Sequence, residues 1–133
     1  MPDLLKRDEL ADVVKAALHF YDTQKYSLHA YCIMPNHVHV VITPLCDNIE
    51  QNKVLSGITQ SIKRFTAREI NKLINTQGSL WARESYDHIV RNEPEFGRII
   101  SYVANNPVKA GFVKHWQEWK YTWIEDSLKD IIT

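Results

Sequence analysis

The chain has 133 residues, 44% of them hydrophobic and 24% charged, with 16 basic and 16 acidic side chains that cancel. That is the size of one domain able to bury a core, with a composition ordinary for a soluble globular protein. Zero net charge counts against a protein that coats nucleic acid non-specifically by releasing counterions from phosphates, though it leaves room for a local basic groove.

The first predicted element runs from about Arg7 to Tyr21, where Leu10, Val13, Val14, Ala17, Leu18 and Tyr21 recur at helical spacing. Lys25 to Met34 and His37 to Thr43 read as two antiparallel strands around the turn signal Pro35-Asn36, and Pro44 to Asn48 as loop. A second helix spans Gln51 to about Ile74. Leu55, Ile58, Ile62 and Phe65 form its apolar stripe, and Lys63, Arg64, Arg68 and Lys72 lie on its other side. Gly78, within Thr76 to Ser79, breaks it, and Tyr86 to Arg91 is a short third strand.

Asn92 is placed to cap a third helix that opens with Glu93, Pro94 and Glu95, all favourable in a first turn. Phe96, Ile99, Ile100 and Val103 are its buried stripe, and Asn106-Pro107 ends it, since the residue before proline avoids helical geometry. Gly111 then turns the chain into a tail with Trp116, Trp119 and Trp123, read as packing residues. The order α-β-β-α-β-α predicts a small antiparallel sheet with helices packed on it, an α+β sandwich in one domain covering residues 1–133. No apolar stretch approaches a membrane span, and the N-terminus lacks a secretory pattern. Cys32 and Cys46 suit a reducing compartment, so a cytoplasmic location is expected, with Cys32 as a small core residue.

The run Met34-Pro35-Asn36-His37-Val38-His39-Val40-Val41-Ile42 carries the chemistry. Residues two apart on a strand share a face, so His37 and His39 project together while Val38, Val40 and Ile42 face the core. Two neutral imidazoles side by side are a pair of ligands for a divalent metal. The same pair also fits two solvated or hydrogen-bonded side chains.

On the third helix Tyr102 falls about 110° from the middle of the apolar stripe, on its flank, with Asn106 four residues further on. A phenol and a carboxamide on that flank can face the histidine pair. The chemistry that suits such a group is phosphodiester transesterification. Tyrosine, with an ordinary pKa near 10, is a poor nucleophile until activated, and a bound Mg²⁺ or Mn²⁺ polarises the phosphate and stabilises the leaving oxygen. The plainer alternative leaves Tyr102 capping the sheet edge and Asn106 ending the helix.

Three ordered blocks now carry a resemblance. Met-Pro-Asn-His37-Val38-His39 resembles the histidine–hydrophobic–histidine signature of single-tyrosine transposases, Trp81 to Glu93 resembles their second block, and Tyr102 to Gly111 their third. The similarity runs from about Leu4 to Trp123, and the nearest branch is the REP-associated tyrosine transposases, related to IS200-type insertion-sequence transposases. It implies a ferredoxin-like α+β fold and metal-dependent cleavage and joining of single-stranded DNA, often beside a hairpin, through a 5′-phosphotyrosine. Carried over by motif, His37 and His39 are metal ligands, Tyr102 is the nucleophile and Asn106 sits where relatives place a polar third ligand. With DNA as partner, Lys63, Arg64, Arg68 and Lys109 become candidate phosphate contacts. Tyr86 and His88 of the second block read as core or sheet-face residues.

Two departures stand out. Members of the family begin with a further strand before the first helix, whereas this chain is helical almost from Met1, so a sheet lacking that strand is expected, with an open edge that favours a homodimer. Neutral net charge is the second. The competing reading is a decayed or domesticated module that grips hairpin DNA without cutting it. A hydrolase of the His-x-His-x-Asp-His type is excluded, because Val40, Val41 and Ile42 follow His39.

Overall fold

This computed structural model describes residues 3–45, 51–81, 86–90 and 93–133; for 51–55, 86–90 and 93 it describes the backbone alone. A hairpin organises the chain. β1 (Tyr26–Ile33) and β2 (Val38–Pro44) pair antiparallel, from Ile33 opposite Val38 at the turn to Tyr26 opposite Pro44 at the far end. Met34 N–H donates to the His37 carbonyl at 2.8 Å, leaving Pro35 and Asn36 as a two-residue connection. His29 is an extra residue in β1, bulged between Leu28 and Ala30.

Two further strands complete the sheet in the order β3-β2-β1-β4. β4 (Thr122–Ile124) joins β1 antiparallel, giving three strands of the expected antiparallel sheet. β3 (Tyr86–Val90) lies parallel to β2. A parallel neighbour requires a long crossover, which α2 (Gln51–Ile74) supplies with 24 residues. Tyr86 and His88 lie in this strand, where only the backbone is described.

The sheet is covered on both faces, and alternation along the strands divides the core in two. Tyr31, Ile33, Val38, Val40 and Ile42 pack against α1 (Asp8–Phe20) and α2. Ala30, Cys32 and Val41 pack on the opposite side against Phe96, Ile100 and Val103 of α3 (Phe96–Ala104). The architecture is α+β, helices on a sheet, as the sequence predicts.

Several details differ from the sequence reading. The stripe of α2 runs Ile58, Ile62, Thr66, Ile70, all buried at steps of four, so Phe65 is displaced to the flank and is 38% exposed. The third helix stops at Ala104, two residues before Asn106, and restarts as α4 (Asn106–Lys109). Pro107 therefore opens a helix instead of ending one. In a first turn its missing N–H costs nothing. The tryptophan-rich tail contributes β4, which at three residues is too short to stand out as a strand. Asn92 and Cys46 lie outside the described residues.

Candidate metal and nucleophile site

β2 builds half of the site by alternation. Val38, Val40 and Ile42 are buried in the larger core, which sends His37 and His39 to the α3 side. The two imidazoles lie with ring centroids 4.8 Å apart and planes at 81°. His37 Nδ1 is 2.7 Å from Asn36 Oδ1. An amide oxygen accepts, so a hydrogen bond in this contact is donated by Nδ1–H, an arrangement compatible with a ligand at Nε2. Two adjacent imidazoles are groups that could hold a divalent metal.

α3 brings the other half. Phe96, Ile100 and Val103 bury one side of it, each side chain stabilising by roughly 1.5–3 kcal/mol, so the helix is held firmly on the sheet. Tyr102, next to Val103, is left 51% exposed on the flank, and its ring meets His39 edge-on at 5.8 Å between centroids. Three rings from two distant segments thus stand in a row: His37, His39, Tyr102.

Asn106 is half-buried at the start of α4, beyond the break at Asn105, so it and Tyr102 belong to consecutive helical segments instead of one continuous turn. Lys109 is exposed at the other end of α4. Among the described residues no group of three His, Cys, Asp or Glu side chains gathers for a metal.

The remaining predicted contacts lie elsewhere. α2 packs on the face of the sheet opposite α3, so Lys63, Arg64 and Arg68 occupy the other layer. Lys63 and Arg64 line a shallow hollow with Gln60, Ala67 and Trp81. The Arg68 guanidinium sits over the Phe65 ring, 5.7 Å from its centroid. A second hollow between α1 and α2, lined by Ala16, Ala17, Phe20, Tyr21 and Phe65, is almost wholly apolar.

The tail tryptophans pack as expected. Trp123 stacks on Tyr31 at 5.8 Å and 15°, and the Trp119 indole N–H donates to the Ile33 carbonyl at 3.0 Å. Sequence reasoning missed Asn36 as the partner that orients His37; its signal was an amide immediately before the first histidine. It also missed Phe112, which borders a hollow shared with His37.

Residues 3–106 match the family described as "Transposase IS200 like". The chain is similar to a putative REP-associated tyrosine transposase of Haemophilus influenzae, 28% identical over 100 residues that cover 70% of this chain and 56% of that protein. It is also similar to a REP-associated tyrosine transposase of Escherichia coli, 25% identical over 100 residues covering 73% and 53%. The chain spans about half the length of these relatives. No solved structure matches it. Among the described residues no helix is long and apolar enough to cross a membrane.

Proposed function

The chain belongs to the IS200-like transposase family, and from that premise we propose that it nicks and rejoins single-stranded DNA through Tyr102. The observation that carries this reading is the row of rings: Tyr102 lies against His39, which lies against His37. Tyr102 Oη attacks the scissile phosphorus and forms the new O–P bond. The bond to the 3′ oxygen breaks, the phenolic proton passes to solvent, and the leaving oxygen takes up a proton as a 3′-hydroxyl. The 5′-phosphotyrosine conserves the bond, so the reverse attack by a 3′-hydroxyl joins strands.

His37 and His39 would hold a divalent metal, Mg²⁺ or Mn²⁺, with Asn106 as a further polar ligand. When bound, such an ion neutralises charge developing on the phosphate and the leaving oxygen. Asn36 keeps His37 in the tautomer that presents Nε2. Lys109, exposed at the end of the segment that follows Tyr102, contacts the phosphates of the strand being cut. Lys63, Arg64 and Arg68, on the other layer, meet a separate stretch of the DNA, suited to the stem of a hairpin.

The test incubates the chain and its Tyr102→Phe variant with Mn²⁺ and a pool of single-stranded hairpin oligonucleotides, and reads covalent adducts by mass. We expect an adduct on wild type alone. Adducts on both would place the nucleophile elsewhere. Hairpin binding without any adduct would leave a DNA-binding module.

A further inference from the structure

The turn after α4 carries an aromatic ring outside both cores. Gly111 takes a left-handed conformation (φ +83°), which suits a residue without a side chain. Its N–H donates to the Val108 carbonyl and the Phe112 N–H to the Pro107 carbonyl, both at 3.0 Å, the paired return of a Schellman turn. The residue after such a glycine frequently packs down onto the helix it has just left. Phe112 is instead 53% exposed.

The ring is nevertheless fixed. It stacks on Trp119, centroids 5.4 Å apart and planes 17° from parallel, and Trp119 is pinned to the end of β1 by its bond to the Ile33 carbonyl. Beside the ring lies a hollow of about 280 Å³, bordered by Asp3, Pro35, Asn36, His37 and Ala110. Its volume is at the small end for ligand sites. Its rim offers a carboxylate and a carboxamide, the groups that pair with the edges of nucleobases. His37 belongs both to this hollow and to the row of rings.

We propose that this hollow is a subsite for one unpaired nucleobase, stacked on Phe112 and flanking the phosphate that Tyr102 attacks. The proposal rests on the single-stranded DNA reading above. Base–aromatic stacking tolerates any base, because every base has a π face. Asp3 and Asn36 would add preference at its edge. Because Trp119 already holds the platform, little ordering is needed when the base arrives. The hollow between α1 and α2 also exposes aromatic rings, but it lacks a polar rim and lies on the layer away from His37.

The test uses the full chain carrying Tyr102→Phe, so that DNA stays uncut, with Mn²⁺ and random-sequence single strands in which 5-iodouracil replaces thymine. Irradiation links the halogenated base to the aromatic ring beneath it, and peptide mass spectrometry locates the link. We expect a crosslink on Phe112. We also expect about tenfold weaker single-strand binding in Phe112→Ala and retained binding in Phe112→Trp, with little change toward duplex of the same composition. Crosslinks confined to other rings, such as Trp81, or undiminished binding by Phe112→Ala, would overturn the subsite and leave the single-strand reading standing. Absence of any single-strand binding, together with no adduct on wild type, would overturn both.

Discussion

The ring of Tyr102 meets that of His39 at 74°, centroids 5.8 Å apart, and this contact ties α3 to β2 at the point where the chain's candidate chemistry converges. Edge-to-face pairs contribute about 0.5–1.5 kcal/mol beyond burial. The contact is made by the ring, so Tyr102→Phe keeps it. We expect that variant to unfold within about 0.5 kcal/mol of wild type, as exposed sites usually do. Tyr102→Ala should lose roughly the value of the pair. Thermal denaturation of both variants decides it: a large loss in Tyr102→Phe would make the hydroxyl a structural group and weaken its role as nucleophile.

Asn36 offers a test of the histidines that does not touch them. Its Oδ1 accepts the His37 Nδ1 proton at 2.7 Å. Partners of this kind typically account for 10–100-fold in metal affinity. Asn36→Ala should therefore weaken Mn²⁺ binding by about that factor in titration calorimetry, with the melting temperature little changed because Asn36 is an exposed turn residue. Equal Mn²⁺ affinity in the variant would mean that His37 is not held as a ligand through this bond.

How far the sequence reveals the site depends on which signal each residue obeys. His37 and His39 are legible because strand alternation has a period of two and the valines between them fix the face. Tyr102 is legible because Phe96, Ile100 and Val103 define the buried side of α3. Periodicity cannot show on which face of a sheet a helix lies, so the separation of Lys63, Arg64 and Arg68 from the histidines emerged only in three dimensions. Phe65 and Thr66 are adjacent, and hydrophobicity favours the wrong one as core. The threonine is buried because its hydroxyl finds partners. The break at Asn105 was hidden because proline both ends and begins helices. Phe112 escaped because a lone aromatic after glycine has no period at all.

Thr66 itself carries a prediction about stability. Its hydroxyl donates to the Ile62 carbonyl at 2.7 Å and accepts the Trp81 indole N–H at 2.9 Å, with no exposure to solvent. Thr66→Val keeps the shape and removes the acceptor. Leaving a part-buried donor without its acceptor costs about 1–3 kcal/mol. Urea denaturation should show a loss in that range with an unchanged slope. A neutral result would mean that water replaces the threonine at the indole.

Alkaline pH gives the last prediction, through Cys32. Burial pushes its thiol up from an ordinary value of 9.0 to about 11, partly offset by the hydrogen bond from the Thr122 hydroxyl at 3.4 Å. Burial pushes the Tyr31 phenol up as well. The folded chain thus keeps protons that the unfolded chain releases. Stability falls with pH wherever the unfolded state binds fewer protons. The Cys32 contribution is fully present below about pH 9 and is lost as pH rises toward about 11. We expect the melting temperature to decline across that window, and Cys32→Ala to make the decline shallower. At neutral pH the thiol is protonated and sealed in the core, so peptide mapping should find Cys32 unmodified by a thiol reagent until the chain is unfolded. Rapid modification of the native chain would show that the α3 face of the sheet opens, and with it the frame that sets Tyr102 against His39.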